Sequence, residues 1–131
     1  MPLTFVVYPN IPLVCIYGVG ALTLGDMRGM LNDLTEAEVE TLPRLVDLRE
    51  ARIHIPTAHM RQYVSYKVAY LKERSAVRVA AIASDLVTYG MLRMYQILIS
   101  EQEPEYGVFR TLHEAIDWLS VAPEQSRELG A

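Results

Sequence analysis

The sequence predicts a single α/β domain, a mixed and mostly parallel five-stranded sheet with helices in the order ββαβαβαβα. Three observations predict it. Five short runs rich in β-branched and aromatic residues recur along the 131 residues. From the second run onward, each is followed by a stretch whose apolar residues recur at the helical period. Only Pro9-Asn10-Ile11-Pro12 separates the first two runs. That is a turn, so these strands pair antiparallel, whereas strands separated by helices pair parallel through right-handed crossovers.

The elements follow in order. Residues 4–8, TFVVY, and 13–17, LVCIY, form the hairpin. The second strand is apolar throughout and is expected inside the sheet. Thr23 is a good N-cap, and Asp26 three residues on makes a capping-box variant. Leu24, Met27, Leu31 and Leu34 then repeat at helical spacing. Residues 35–43, TEAEVETLP, read equally well as a helix extension or an exposed connection. Residues 44–49, RLVDLR, are the third strand, and a loop, EARIHIP, leads to Thr57, a second N-cap candidate. Residues 58–73 are helical, with Met60, Val64, Val68 and Leu71 on one face. Residues 78–84, RVAAIAS, read as a buried fourth strand.

A third helix, SDLVTYGMLRMYQILIS, spans residues 84–100, with Val87, Met91, Met94 or Tyr95, and Leu98 at one-turn steps. Gly90 would let it approach a neighbour closely. Residues 107–110, GVFR, are the fifth strand. Thr111 caps a last helix with Leu112, Ala115, Ile116 and Leu119 inward and Trp118 beside them. The domain is expected over residues 1–122, with a frayed polar tail at 123–131.

Composition narrows the function. The chain is 51% hydrophobic with a mean hydropathy of +0.14, high for a small domain. This implies a rich core or apolar surface reserved for a ligand or partner. Twelve basic residues face 16 acidic ones, a net charge of −4, and no Lys/Arg block occurs, which argues against nucleic acid. The single cysteine, Cys15, has no internal partner and fits a reducing compartment as a small buried hydrophobe. MPLTFVVYPN lacks a basic region and a cleavage site, and no apolar run approaches the ~18–20 residues of a membrane span. A cytoplasmic protein is expected.

Several constellations invite chemistry. On the second helix Tyr63, Tyr66 and Tyr70 form a stripe beside the apolar face. Crossover helices on one side of the sheet would set it against Tyr89, Met91, Met94 and Tyr95. Met and Tyr suit an adaptable apolar site; the plainer reading is that Met91, Met94 and Leu98 pack on the sheet. Asp47, Arg49, Ser84 and Asp85 lie near the carboxyl ends of the third and fourth strands, the edge that ligands favour. His54 and His59 flank Pro56 without a metal-ligand spacing, and His113 belongs to an exposed helix turn. Ser84, His54 and Asp85 spell a triad on paper, without a nucleophile elbow. Gly18-Val-Gly20 is followed next by Gly25, not the spacing of a dinucleotide fingerprint. No catalytic residue, metal site or cofactor is predicted.

Three segments, LVDLRE (45–50), SDLVTYGMLRMYQ (84–96) and VFRTLHEAIDWL (108–119), together resemble the SpoIIAA-like, or STAS-like, family of small bacterial proteins. The pattern carried by Tyr89, Gly90, Arg93, Met94 and Tyr95 is the most specific part. The resemblance implies the mixed sheet derived above and a non-enzymatic role. Its anti-sigma-antagonist members carry a phosphorylatable Ser or Thr where the loop after the third strand enters the second helix. Thr57 holds that place here, without the usual Asp-Ser-Ser-Gly surroundings. The divergent branch, which this chain resembles more closely, is proposed to carry small non-polar ligands or to associate with membranes.

The expectation is therefore a small apolar ligand between the second and third helices. The same surface is available to a membrane or a second copy of the chain. The alternative is a regulatory interaction module with a protein partner, phosphorylated at Thr57.

Overall fold

The structure, a computed structural model, describes residues 2–8, 10–121, 125 and 127–130. The strands are β1 (Leu3–Val7), β2 (Val14–Ala21), β3 (Arg44–Arg52), β4 (Val79–Ala83) and β5 (Tyr106–Phe109). The helices are α1 (Leu24–Glu36), α2 (Thr57–Leu71), α3 (Leu86–Leu98) and α4 (Leu112–Leu119), in the predicted order. The strands lie in the sheet as β1-β2-β3-β4-β5. β1 is antiparallel to β2, and every other pair is parallel.

Because each crossover joins adjacent strands, α1, α2 and α3 share one face, and α4 takes the other. Alternation along β2 divides two cores accordingly. Val14 and Ile16 join the core under α1–α3, and Cys15 joins Leu45, Ala80, Ile82 and the apolar side of α4.

Local chemistry explains most boundaries. Thr23 accepts from the Asp26 N–H while the Asp26 carboxylate accepts from the Thr23 N–H, a reciprocal cap on α1. Thr111 accepts from the Glu114 N–H and caps α4. The 35–43 stretch divides in two. α1 closes at Glu36, Glu38 turns the chain at φ 59°, and Val39 and Leu42 tuck against the core.

Four expectations are corrected. β2 runs on to Ala21 and β3 to Arg52, pairing Val19 with Glu50, Gly20 with Ala51 and Ala21 with Arg52. Gly18 permits this, since a Cβ there would lie 2.7 Å from Leu48 Cδ2. Thr57 is not a cap: α2 begins on it, Pro56 stands at the cap position, and no side chain caps the helix. The cap of α3 is Asp85. Gly90 is exposed, and nothing lies within 4 Å of where its Cβ would be, so it serves no close approach.

Residue 122, the last of the expected domain, and residues 123, 124, 126 and 131 of the expected tail lie outside the described residues. Arg127–Leu129 form a 3-10 turn whose Leu129 is buried in the α4-side core. Among the described residues no helix is long and apolar enough to cross a membrane.

Candidate functional site: an apolar cavity with a charged end

The middle row of the sheet on the α1–α3 face reads Ile16, Val46, Ala81, Val108 across β2 to β5. Ile16 and Ala81 are sealed. Val46, the third residue of the central strand β3, is only partly buried. Beneath the helices, over Val46, a cavity of about 100 Å³ opens. Ile16, Val46 and Leu48 form its floor, Met27, Met30 and Leu34 its α1 wall, and Met60, Tyr63, Leu92 and Tyr95 its α2 and α3 walls.

One end is polar. Arg44, Val79 and Tyr106 form a cross-strand row at the starts of β3, β4 and β5, and all three line the cavity together with Lys67 of α2. Lys67 and Arg44 are 4% and 5% exposed, and Glu103, in the connection after α3, is 1% exposed. Tyr95 OH donates to Glu103 Oε1 at 2.7 Å. Lys67 Nζ stands 3.2 Å from Glu103 Oε2, but off the hydrogen-bonding direction, so that oxygen has no hydrogen-bond partner.

The rings of Tyr63 and Tyr95 are 5.7 Å apart, and those of Tyr95 and Tyr106 4.9 Å, distances typical of tilted aromatic pairs. Burial, reinforced by the Glu103 charge, raises the pKa of all three phenols. Burial lowers that of Lys67; Glu103 opposes the shift and Arg44 adds to it. Arg44 Nη2 donates to the Glu40 carbonyl at 3.0 Å, while its buried Nε has no partner.

The structure separates the aromatic set predicted from sequence. Tyr63 and Tyr95 meet at the cavity. Tyr66 and Tyr70 turn to α1 instead. Tyr66 OH donates to Asn32 Oδ1 at 3.4 Å, and the hydroxyls of Tyr70 and Thr35 lie 2.8 Å apart. The Arg74 guanidinium covers the Tyr70 ring at 4.0 Å, and Arg110 lies 5.4 Å from the Tyr89 ring. Met91 and Met94 pack partly buried against the same core, outside the cavity lining.

The polar strand-edge set also divides. Arg49 grips Asp47 through two bonds of 2.9 and 2.7 Å. The pair sits in mid-β3 beside Tyr17, on the face away from α1–α3. Asp85 Oδ2 accepts from Thr88 N–H at 3.0 Å, from Thr88 Oγ1 at 2.7 Å, and pairs with His54 Nε2 at 2.5 Å. These partners, His54 foremost, pull the Asp85 carboxyl down to about 2. Ser84 is engaged through its carbonyl, which accepts from Arg110. The two carboxylates therefore do not converge. Among the described residues no three His, Cys, Asp or Glu side chains gather as a metal site. Thr57, His59 and His113 are exposed.

Arg44, Lys67, Glu103 and Tyr106 were not anticipated as site residues. Lys67 had a legible signal. It follows Tyr63 by four residues and precedes Tyr70 by three, so a helix places it inside the buried arc.

This sheet, with its antiparallel first strand and one helix apart from the other three, is a SpoIIAA-like fold. The chain is similar to the crystal structure of an uncharacterized protein from the DUF3478 family with a SpoIIAA-like fold from Shewanella loihica PV-4. The two share 20% identity at a TM-score of 0.58, over 89% of this chain and 91% of that one. No family model and no curated protein matches the chain.

Proposed function

We propose that this is a non-enzymatic protein that binds a small non-polar molecule inside the domain, between the sheet and α1–α3. The observation carrying this reading is Val46, a central-strand residue beneath three helices that is still only partly buried. Closely packed interiors leave few voids larger than a water, and a void walled by Met, Leu, Ile and Tyr favours apolar atoms over water. The Met27 and Met30 thioethers can repack around an occupant. Leu86 and Ile97 of α3, 72% and 69% exposed, support contact with a membrane surface or a second copy during ligand transfer. A cytoplasmic setting suits the unpaired, buried Cys15.

Xenon tests this reading, since a single atom fits an apolar cavity of this size. Expected are saturable ¹²⁹Xe shifts and a xenon-dependent rise in melting temperature, both lost in Val46→Phe. Shifts that stay linear and identical in parent and variant would overturn it.

A second reading, an interaction module switched at Thr57, is favoured by one observation. The hydroxyl is exposed in the first turn of α2 and makes no cap bond. It predicts partner binding that Thr57→Asp abolishes and Thr57→Ala retains. Equal partner binding by both variants counts against it.

A further inference from the structure

Resting on the reading of the cavity as a ligand site, we propose that its ligand is a short aliphatic monocarboxylate, with its head against Arg44 and Lys67 and its tail over Val46. Charge is the first argument. The charged residues lining the cavity are Arg44 and Lys67, both cations and both more than nine-tenths buried. Glu103 pairs with Lys67 at 3.2 Å and accepts from Tyr95 OH through Oε1, but it does not line the cavity. Glu40 gives Arg44 its carbonyl, and its Oε2 is buried without a hydrogen-bond partner, but it makes no ion pair with Arg44 among the described residues and does not line the cavity. The cavity lining thus presents two sequestered cations and no carboxylate, an arrangement that favours a negative group inside it.

Geometry is the second argument. The buried Nε of Arg44 is unpartnered, and a guanidinium fork matches a planar carboxylate better than any other side chain does. The Tyr63 and Tyr106 rings line the same space. Their hydroxyls make no hydrogen bond among the described residues, and the upward displacement of both phenols keeps them protonated donors at neutral pH.

Polarity is also segregated along the strands. Arg44, Val79 and Tyr106 stand at the strand starts, and Leu48 and Ile53 line the far end. Such a site reads an amphiphile and its direction.

Size sets the class. A cavity of ~150 Å³ holds the six heavy atoms of benzene, so about 100 Å³ takes roughly four, and the expected ligands are the shortest aliphatic acids, of about three to four carbons.

The test compares propionate and butyrate with 1-propanol and 1-butanol by titration calorimetry at pH 7. Expected is at least tenfold tighter binding of each acid than of its alcohol, with the preference lost in Arg44→Met while xenon and 1-butanol still bind. Equal binding of acid and alcohol by the parent overturns the proposal. So does a preference that survives in a folded Arg44→Met. If that variant does not fold, Arg44→Lys, which keeps the charge but not the fork, is expected to lose most of the preference, and full retention overturns the proposal. Xenon and alcohol binding without carboxylate preference removes this inference alone; the absence of all binding removes the cavity reading as well.

Discussion

Lys67 Nζ lies 3.2 Å from Glu103 Oε2, with side chains only 5% and 1% exposed. Two unlike charges this deep stabilise little net, yet removing one strands the other. Lys67→Met is therefore expected to cost about 3–5 kcal/mol. Lys67→Met combined with Glu103→Leu should recover most of that, short of the hydrogen bond lost by Tyr95 OH. Urea denaturation midpoints at constant slope check this. A double variant as unstable as the single would show that the pair's net contribution exceeds its desolvation.

Val46 faces space. In a filled core a Val→Phe change costs ~1–3 kcal/mol of overpacking. Here Val46→Phe projects into a cavity of about 100 Å³ and is expected to stay within about 1 kcal/mol of the parent. Thermal and urea unfolding read the difference. A loss at the filled-core level would mean that the helices already occupy the space.

The Asp85 carboxyl, drawn down to about 2 by His54 first and Thr88 second, makes an acid-side prediction. A folded pKa below the unfolded value stabilises above the unfolded value, and that stability disappears as pH falls through the folded one. The contribution should thus be complete above pH ~4 and lost toward pH ~2. A carboxyl-carbon NMR titration should place the Asp85 midpoint near the bottom of that window, and higher in His54→Ala. An unchanged midpoint in the variant would leave Thr88 as the controlling partner.

Thr23 and Thr57 each precede or begin a helix, but only Thr23 makes the reciprocal cap. Thr23→Ala is expected to destabilise by about 1 kcal/mol, and Thr57→Ala by less than ~0.5 kcal/mol. Equal losses in chemical denaturation would contradict the assigned start of α2.

Cys15 is fully buried, and burial pushes its thiol up to about 11. Thiolate is the reactive form, so iodoacetamide at pH 8 should label the native protein only as fast as the sheet opens. Rapid labelling under native conditions would refute this.

The element order was legible because each crossover carries its own period. Leu24, Met27, Leu31 and Leu34 announce α1, and the β-branched runs announce the strands. The extra length of β3 was not legible, since Glu50 and Arg52 pair through backbone groups that leave no apolar pattern. That hidden length places Asp47 in mid-strand rather than at an edge.

Of the site, Tyr63 and Tyr95 could be read from their helix faces. Tyr66 and Tyr70 were misdirected because a stripe on α2 reaches α1 on one side as well as α3 on the other. Arg44, Lys67 and Glu103 escaped because isolated charges read as solvated. Their meeting requires a strand start, a helix interior and a loop to converge in three dimensions.

The strands sit side by side in the same sequence in which they are synthesised. No ladder must wait for a distant segment, so chain closure is inexpensive and assembly is expected to advance from the hairpin toward β5. The C-terminal segment meets the β1–β2 turn through the Gln125 amide, which donates to the Asn10 carbonyl at 2.8 Å. That clasp should lock last, and pulse-labelled hydrogen exchange during refolding should find β2 and β3 protected before β5.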